Sequence, residues 1–385
     1  MVAQVSRQQA AVYIHIPFCD HICYYCNFNK VLINGQPVHD YLVALLAEIR
    51  LTLAQHPDVT IGTIYFGGGT PSALPAAELD FLLTGVQELL PFRGQEVTFE
   101  ANPNDLLDGD KLAILQAHGV NRLSIGVQSF NDTVLKKIGR THTARQAVQA
   151  VEQAQQAGFD NISIDLIYRL PGQDLVDFQR SLRQALALEI PHYATYSLIL
   201  ERKTVFYNLM RRGKLQLPSQ DMEADMYQLA MDTLNAHGIE QYEISNFARP
   251  GFQSQHNLVY WHNEYYFGFG AGASGYLGQT RYQNFGPIQQ YLQPLAQEQL
   301  PILTSEQITT NQQIEEQLFL GLRLNAGVEK ARFQERFGRS ILAVYPQVIP
   351  RLIQQGLLVD LGPAYALTER GRFVGNDVFA DFMLV

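Results

Sequence analysis

Over the first 200 residues, short apolar segments alternate with longer segments that are apolar on one side only. The short segments are rich in β-branched and aromatic residues and carry few charges, which is typical of strands buried on both faces. They predict six strands, at 12–17, 63–66, 96–101, 122–127, 161–167 and 193–199. The longer segments predict helices at 41–55, 76–90, 111–117, 144–157 and 175–188. Such alternation indicates parallel βαβ units, which right-handed crossovers assemble into a sheet or an incomplete barrel.

The pattern changes after residue 200. It predicts a long helix at 220–237, a strand at 241–246, and loops with short strands in the Gly-, Tyr- and Phe-rich stretch 262–286. From residue 301 it predicts helices at 314–322, 330–337 and 343–355, and a hairpin of 356–359 with 365–367. Three helices and a hairpin resemble a winged helix. We therefore expect three units: a core over 1–240, a Gly- and aromatic-rich extension over 241–300, and a C-terminal domain over 301–385.

Charge and composition narrow the function classes. Winged helices often bind DNA, but residues 301–385 contain 8 Lys and Arg against 9 Asp and Glu, so a docking or capping role is favoured. The 385-residue chain has a net charge of −9, which argues against nucleic acid as a partner. Its 46% of hydrophobic residues indicate a folded protein, and no apolar run reaches the roughly 18 residues of a membrane helix.

The only three cysteines, Cys19, Cys23 and Cys26, lie in one loop directly after the first predicted strand. With no apolar signal segment at the start, they indicate a reducing cytoplasm and a metal site rather than disulfides. Ligands bind at the carboxyl ends of parallel strands, and three thiolates can hold three irons of a cubane cluster, leaving the fourth iron open. The alternative is a structural zinc site with His15 or His21 as fourth ligand. Zinc sites usually use two separated ligand pairs, however, and the chain has no second pair.

Further motifs accompany this loop: YIHIPFC at 13–19, FGGGTPS at 66–72, FEANP at 99–103, RLSIGVQSF at 122–130, DLIYRLPGQ at 165–173 and HNLVYW at 256–261. Together they resemble the radical S-adenosylmethionine superfamily, and within it the oxygen-independent coproporphyrinogen III oxidase-like family with its haem-chaperone (HemW-like) branch. The resemblance implies an α/β fold, with a partial (β/α)6 radical-SAM barrel followed by a small α+β, winged-helix-like C-terminal domain. It also implies a [4Fe–4S] cluster on the three cysteines and S-adenosylmethionine at the open iron.

The resemblance also assigns S-adenosylmethionine contacts. Gly68, Gly69 and Thr70 follow the second strand, where free N–H groups can hold the methionine carboxylate; the alternative is an ordinary tight turn. Glu100 and Gln128 close the third and fourth strands and would face the amino-acid or ribose part. The other positions carried over are Tyr13, Tyr25, Arg140, Asp165 and Ser197. Arg140 and Asp165 would touch a second S-adenosylmethionine or the substrate, although a solvated helix end would also explain Arg140.

The HNxxYW motif supplies a candidate haem site. Imidazole ligates haem iron and aromatic rings pack on a porphyrin face, so the resemblance assigns haem binding to His256, Asn257, Tyr260 and Trp261. His262 competes with His256 as axial ligand. Taken without the resemblance, the favoured interpretation is a buried His and Trp that join the barrel to the next section.

Two departures separate this chain from the oxidases of the family. Phe28 stands where they have a fourth cysteine, and only about a dozen residues precede the first strand. Both favour a haem chaperone that passes haem to an acceptor protein such as a membrane-bound respiratory cytochrome. The alternative is an oxygen-independent coproporphyrinogen III oxidase, which decarboxylates propionates. We expect a cytoplasmic protein, peripheral at the membrane if it associates with one.

Overall fold

The computed structural model describes residues 9–384. Its strands are β1 (Gln9–Ile16), β2 (Phe18–Cys19), β3 (Val31–Leu32), β4 (Thr60–Gly68), β5 (Glu96–Ala101), β6 (Arg122–Gln128), β7 (Ile162–Tyr168), β8 (His192–Ser197), β9 (Glu240–Glu243), β10 (Asn246–Ala248), β11 (Tyr266–Phe269), β12 (Ser274–Leu277), β13 (Thr280–Asn284), β14 (Ile302–Gln307), β15 (Val328–Glu329), β16 (Leu358–Asp360) and β17 (Ala364–Leu367). Its helices are α1 (Val38–Gln55), α2 (Ala76–Leu89), α3 (Asp110–Ala117), α4 (Asp132–Lys137), α5 (Ala144–Gln156), α6 (Leu175–Leu186), α7 (Val205–Arg211), α8 (Gln220–Asn235), α9 (Gln255–Trp261), α10 (Ile288–Leu295), α11 (Thr310–Gly321), α12 (Lys330–Phe337), α13 (Ile341–Val344), α14 (Val348–Gln354), α15 (Glu369–Phe373) and α16 (Gly375–Ala380).

One mixed sheet organises most of the molecule. Its strand order is β14-β13-β12-β11-β1-β4-β5-β6-β7-β8-β10-β9. The six predicted strands correspond to β1 and β4 to β8, which pair in parallel in chain order. A seventh strand, β11, also pairs in parallel with β1, from its other side. In the part of the chain that the structure describes, the edge strands β14 and β9 do not pair with each other, so the sheet is open.

The parallel strands have one apolar face and one polar face. In β5, Val97 and Phe99 point to the helix-covered core, while Thr98 and Glu100 point to the opposite face. β7 repeats the alternation: Ser163 and Asp165 stand between apolar neighbours. Both faces are largely buried, as predicted, but the second face is polar because it forms the walls of the candidate site.

Two local predictions need correction. The helix predicted at 343–355 is two helices, α13 and α14, because Pro346 lies between them and cannot continue a helix. The strand predicted at 241–246 is two short antiparallel strands, β9 and β10, at the sheet edge beside β8. The stretch 262–286 has the short strands predicted for it, and they belong to the main sheet: β11 pairs with β1, and β12 and β13 continue from β11.

The C-terminal part has its own small core. Helices α11 to α14 pack on a three-stranded sheet, in the order β15-β17-β16, around residues that include Leu318, Phe333 and Leu352. This is the winged-helix-like arrangement of helices and hairpin predicted from the sequence. None of the helices within residues 9–384 is both long and apolar enough to cross a membrane.

Candidate functional site

The cysteine loop leaves the carboxyl end of β1 and is closed by the short β2–β3 pair. Cys19 is buried within β2, and Cys23 and Cys26 are half-buried. The Ile33 N–H donates to the Cys19 carbonyl oxygen over 2.9 Å, which fixes the return of the loop. The three thiols therefore lie at the strand end where parallel α/β folds bind ligands.

Donors from two other elements reach the sulfur atoms. The Thr70 hydroxyl donates to Cys19 Sγ over 3.6 Å, and the Arg140 guanidinium donates to Cys23 Sγ over 3.5 Å. Burial raises the pKa of the Cys19 thiol to about 11, and burial also raises the pKa of Cys26. Without metal, these two groups are neutral thiols near neutral pH; a bound cation would stabilise their thiolates.

The loop fits a cluster better than a single ion. In the described part of the chain, no three His, Cys, Asp or Glu side chains converge closely enough to hold one metal ion. A structural zinc ion needs that convergence, whereas a cubane cluster gives each sulfur its own iron. His15, one of the two candidate fourth zinc ligands, has both ring nitrogens engaged, by the Tyr13 hydroxyl and the Asn29 carbonyl.

The glycine turn after β4 packs tightly against the cysteine loop. A Cβ on Gly69 would lie 2.8 Å from the Phe18 carbonyl oxygen, and Gly68 has a φ of +122°, which favours glycine. The expectation of free N–H groups here was wrong. The Gly68 N–H donates to Glu100, that of Gly69 to the Ile16 carbonyl and that of Thr70 to the Phe18 carbonyl. The glycines serve the close approach of the turn to the loop.

Glu100 is the buried carboxyl nearest this turn. It accepts hydrogen bonds from the Tyr65 hydroxyl (2.7 Å) and from the Gly68 N–H (3.1 Å). Burial raises the pKa of Glu100 to about 7. The hydrogen bond from Tyr65 lowers this pKa, and the neighbouring Asp165 carboxyl raises it. Burial likewise raises the pKa of Asp165 to about 6, opposed by a hydrogen bond from Ser124. Two carboxyls on one face would gain from a bound cation such as an ammonium group.

Arg140 and Gln128 complete this face. The Arg140 guanidinium donates to the Gly126 carbonyl as well as to Cys23, so it is not the solvated helix end that the alternative required. Gln128 has a φ of +67° and is 9% exposed, and its side chain has no hydrogen-bond partner within residues 9–384. A side-chain amide without a partner at the end of β6 is suited to a polar ligand.

The remaining residues predicted to contact S-adenosylmethionine, Tyr13, Tyr25 and Ser197, do not all lie on this polar face. Tyr13 stacks on Tyr65 with ring centres 6.1 Å apart, so it belongs to the same face. Tyr25 packs into an apolar cluster with α4 and α7, beside the cysteines. Ser197 donates to the Glu223 carboxylate, which is itself paired with Arg169 at 2.7 Å, so its hydroxyl is used within the protein.

The HNxxYW residues lie on α9 and point in two directions. His256 is 1% exposed; its Nδ1 lies 2.9 Å from the Thr63 hydroxyl and its Nε2 lies 2.9 Å from the Tyr260 hydroxyl. Trp261 faces the C-terminal domain, where the Arg323 guanidinium lies 4.5 Å from the centre of its ring. Burial lowers the pKa of His256 to about 3, so its ring is neutral. Asn257, half-buried one turn before Trp261, lies on the same side of the helix.

His262 differs from His256 in its exposure and in its hydrogen bonds. It is half-buried, and its ring makes no hydrogen bond in the part of the chain that the structure describes. Burial lowers its pKa, and the nearby Arg332 lowers it further. A neutral imidazole with free ring nitrogens is the form that binds iron.

Two residues that the sequence analysis did not assign to this site hold it together. Asn29 donates to the carbonyls of Ala271 (2.8 Å) and Gly286 (2.9 Å), which ties the cysteine loop to the segment around β12. Tyr65 orients Glu100. Tyr65 lies on the polar face of a parallel strand, so the alternation of side chains along that strand could have identified it. No sequence pattern around Asn29 indicates its role.

Comparison with known proteins shows which family the chain belongs to. The model of the Radical SAM superfamily matches residues 13–185, and that of the HemN C-terminal domain matches residues 308–374. The Heme chaperone HemW of Bacillus subtilis (strain 168) is 49% identical over 375 residues, which cover 97% of this chain and 99% of that protein. The chain belongs to the HemW family.

Two further similarities agree with membership of the HemW family. The Heme chaperone HemW of Lactococcus lactis is 48% identical, with 97% of each chain covered. The coproporphyrinogen III oxidase HemN of Escherichia coli, a radical SAM enzyme, has a similar structure. Its TM-score is 0.84 at 25% identity, with 98% of this chain and 90% of that chain covered. The predicted family and its α/β radical-SAM fold are confirmed.

Proposed function

We propose that this chain is a haem chaperone, which binds haem and passes it to an acceptor protein from a scaffold that also binds a [4Fe–4S] cluster and S-adenosylmethionine. The observation that carries the proposal is the 49% identity, across 97% of the chain, to a protein named Heme chaperone HemW. Phe28 supports it, since an apolar residue, 66% exposed, occupies the position of the oxidases' fourth cysteine.

In this proposal Cys19, Cys23 and Cys26 hold the cluster. Thr70 and Arg140 already donate to two of the sulfurs, and such donors stabilise thiolate charge. Bound at the open iron, S-adenosylmethionine would supply a sulfonium that one electron can cleave. The role of the surrounding chain is to orient that ligand and to exclude water from it.

The polar face would bind the rest of S-adenosylmethionine. Glu100 offers a buried carboxylate for the ammonium group, and Gln128 offers an amide without a partner. Asp165 and Arg140 lie on the same face and would contact a second ligand or the substrate. Tyr13 and Tyr25 would border the site, whereas Ser197 would need to exchange its bond to Glu223 to take part.

We propose that haem binds beside α9 with His262 as axial ligand. His256, the first candidate from the sequence, could ligate iron only by giving up its hydrogen bond to Tyr260 or to Thr63. The free ring of His262 needs no such change. His256 would then fasten α9 to β4, and Trp261 would fasten it to the C-terminal domain through Arg323.

The test is anaerobic reconstitution with iron and sulfide, followed by metal analysis and a haem titration. We expect about four irons per chain and one haem, with the haem band unaffected when all three cysteines are replaced by alanine. Stoichiometric zinc in place of iron, or no saturable haem binding, would contradict the proposal. We expect the acceptor to be a haem protein such as a respiratory cytochrome, and we expect the chaperone to be cytoplasmic.

A second candidate function is oxygen-independent coproporphyrinogen III oxidase activity, which the TM-score of 0.84 to HemN favours. Phe28 argues against it. We expect no protoporphyrinogen when the reconstituted protein is given reductant, S-adenosylmethionine and coproporphyrinogen without oxygen. Turnover at enzyme-like rates would establish the oxidase instead.

A further inference from the structure

Seven lysine and arginine side chains are concentrated next to the cysteine loop. All are exposed, and none has an ion-pair or hydrogen-bond partner within residues 9–384. They form what we call the basic face: Lys136, Lys137, Arg202, Lys203, Arg211, Arg212 and Lys214. The stretches 133–142 and 202–215 contain no Asp or Glu, although the whole chain has a net charge of −9. Such a local reversal of sign attracts an anionic partner.

The basic face is joined directly to the cysteine loop. The Tyr24 N–H donates to the Ile138 carbonyl over 3.1 Å, and the Phe206 N–H donates to the Tyr24 carbonyl over 3.0 Å. Ile138 directly follows α4 and Phe206 lies in α7, so both basic segments are bonded to Tyr24, which directly follows Cys23. A buried apolar cluster that includes Val134 and Phe206 packs the two helices together.

Apolar side chains are exposed among these cations. Ile199 is 69% exposed, Val205 47%, Met210 39% and Tyr24 37%. An apolar centre surrounded by charge is the usual composition of a protein–protein interface. The charges steer the partner and fix its orientation, while the apolar contacts hold it.

The electron that the cluster requires must come from another molecule. All three cysteines of the chain lie in this loop, so the chain has no second cysteine-bound centre to relay an electron. We propose that the basic face docks a small acidic electron-carrier protein that reduces the cluster, an inference that rests on the cluster of the proposed function. One electron leaves the reduced carrier and enters the oxidised cluster, and no bond is formed or broken.

A protein fits this face better than an anionic membrane. Tyr24 is a residue of the cysteine loop and is bonded to both segments that carry the basic face, so a partner that covers the face lies against the cluster. A lipid surface in the same position would supply no electron and would block access to the loop. Membrane binding is therefore the competing outcome of the test.

The experiment compares two charge-reversed double variants. R211E/R212E alters the basic face. R93E/R183E makes the same change in net charge at exposed arginines at the other end of the sheet: Arg93 precedes β5, and Arg183 lies in the last turn of α6, before β8. The probe is reduced flavodoxin, an acidic flavin protein. The readouts are the rate of cluster reduction, followed by electron paramagnetic resonance, and the affinity of oxidised flavodoxin for the protein.

We expect R211E/R212E to lower both the rate and the affinity about tenfold at low salt, with the difference shrinking as salt is added. R93E/R183E should behave like the parent, and dithionite, a small reductant, should reduce all three proteins equally. Equal rates with flavodoxin in both variants would overturn the inference.

Two other results would also overturn it, and they can be told apart. If the parent sediments with phosphatidylserine vesicles, R211E/R212E does not, and flavodoxin reduces both equally, the basic face is a lipid surface. If dithionite produces no reduced cluster in the parent, the proposed function itself fails and this inference falls with it.

Discussion

Glu100 is held by Tyr65 and Gly68 on the polar face, with a pKa of about 7 raised by burial. Because a bound ammonium group would compensate its charge, Glu100→Gln should weaken S-adenosylmethionine binding by about tenfold to a hundredfold. The measurement is the concentration at which S-adenosylmethionine alters the resonance signal of the reduced cluster. Glu152→Gln, at an exposed position on α5, is the control. Unchanged affinity in Glu100→Gln, with the cluster intact, would remove Glu100 from the site.

Opposite results are expected at the two histidines, His256 within α9 and His262 directly after it. His262→Ala should shift or abolish the Soret band of the haem-loaded protein without lowering its stability, because its ring has no partner in the described part of the chain. His256→Gln should lower the melting temperature and leave the Soret band in place, because His256 bonds to Thr63 and Tyr260. The reverse pattern would restore His256 as the ligand.

At the scale of elements, the segment after β11 fits against β1 because Gly270 has no side chain. Gly270 has a φ of +102°, and a Cβ there would lie 2.5 Å from the His15 carbonyl oxygen. Gly278 also has a positive φ, +61°, but nothing lies within 4 Å of its Cβ position. Comparing alanine at the two positions therefore separates backbone strain from the tight contact.

Gly278→Ala should cost about 1 to 2 kcal/mol of unfolding free energy from its backbone conformation alone. Gly270→Ala should cost a further 1 to 3 kcal/mol or so, because a backbone oxygen cannot move aside as a side chain would. Urea unfolding measures both values. Equal losses would mean that the contact between β1 and this segment is looser than described.

At the scale of the whole molecule, a buried carboxyl links distant parts of the chain. Glu48 in α1 accepts hydrogen bonds from Gly270, Asn284 and Tyr291, and burial raises its pKa to about 7 against those bonds. In the unfolded chain its pKa is near 4.5. Between these values the native state holds more protons than the unfolded state, so this group lowers stability as the pH rises.

The parent protein without ligands should therefore lose more stability than Glu48→Gln between pH 5.5 and pH 8, by about 2 kcal/mol. Urea unfolding at both pH values measures the difference, with Glu152→Gln again as the control. A parent and a Glu48→Gln variant with the same pH dependence would show that Glu48 is ionised in the native state throughout this range.

The sequence predicted the features that depend on local pattern. The apolar periodicity predicted the parallel strands, and the spacing of the cysteines predicted the cysteine loop. The break at Pro346 could also have been predicted, because proline cannot continue a helix. The parallel pairing of β11 with β1 was missed, because the Gly- and Tyr-rich composition of 262–286 does not show where its short strands pair and β1 is some 250 residues earlier. The contact of Asn29 with Ala271, and the hydrogen bonds that occupy both nitrogens of His256, depend on tertiary packing and left no local signal.

The most direct test of the chaperone proposal is haem transfer. Haem-loaded protein, with its cluster reconstituted and S-adenosylmethionine present, is mixed anaerobically with a haem-free b-type cytochrome, and the products are separated and their spectra recorded. Under the chaperone proposal, haem moves to the cytochrome, and the His262→Ala variant, which cannot hold haem, delivers none. Haem that stays on the chain, or a cytochrome that fills equally fast from free haem without the protein, would contradict it.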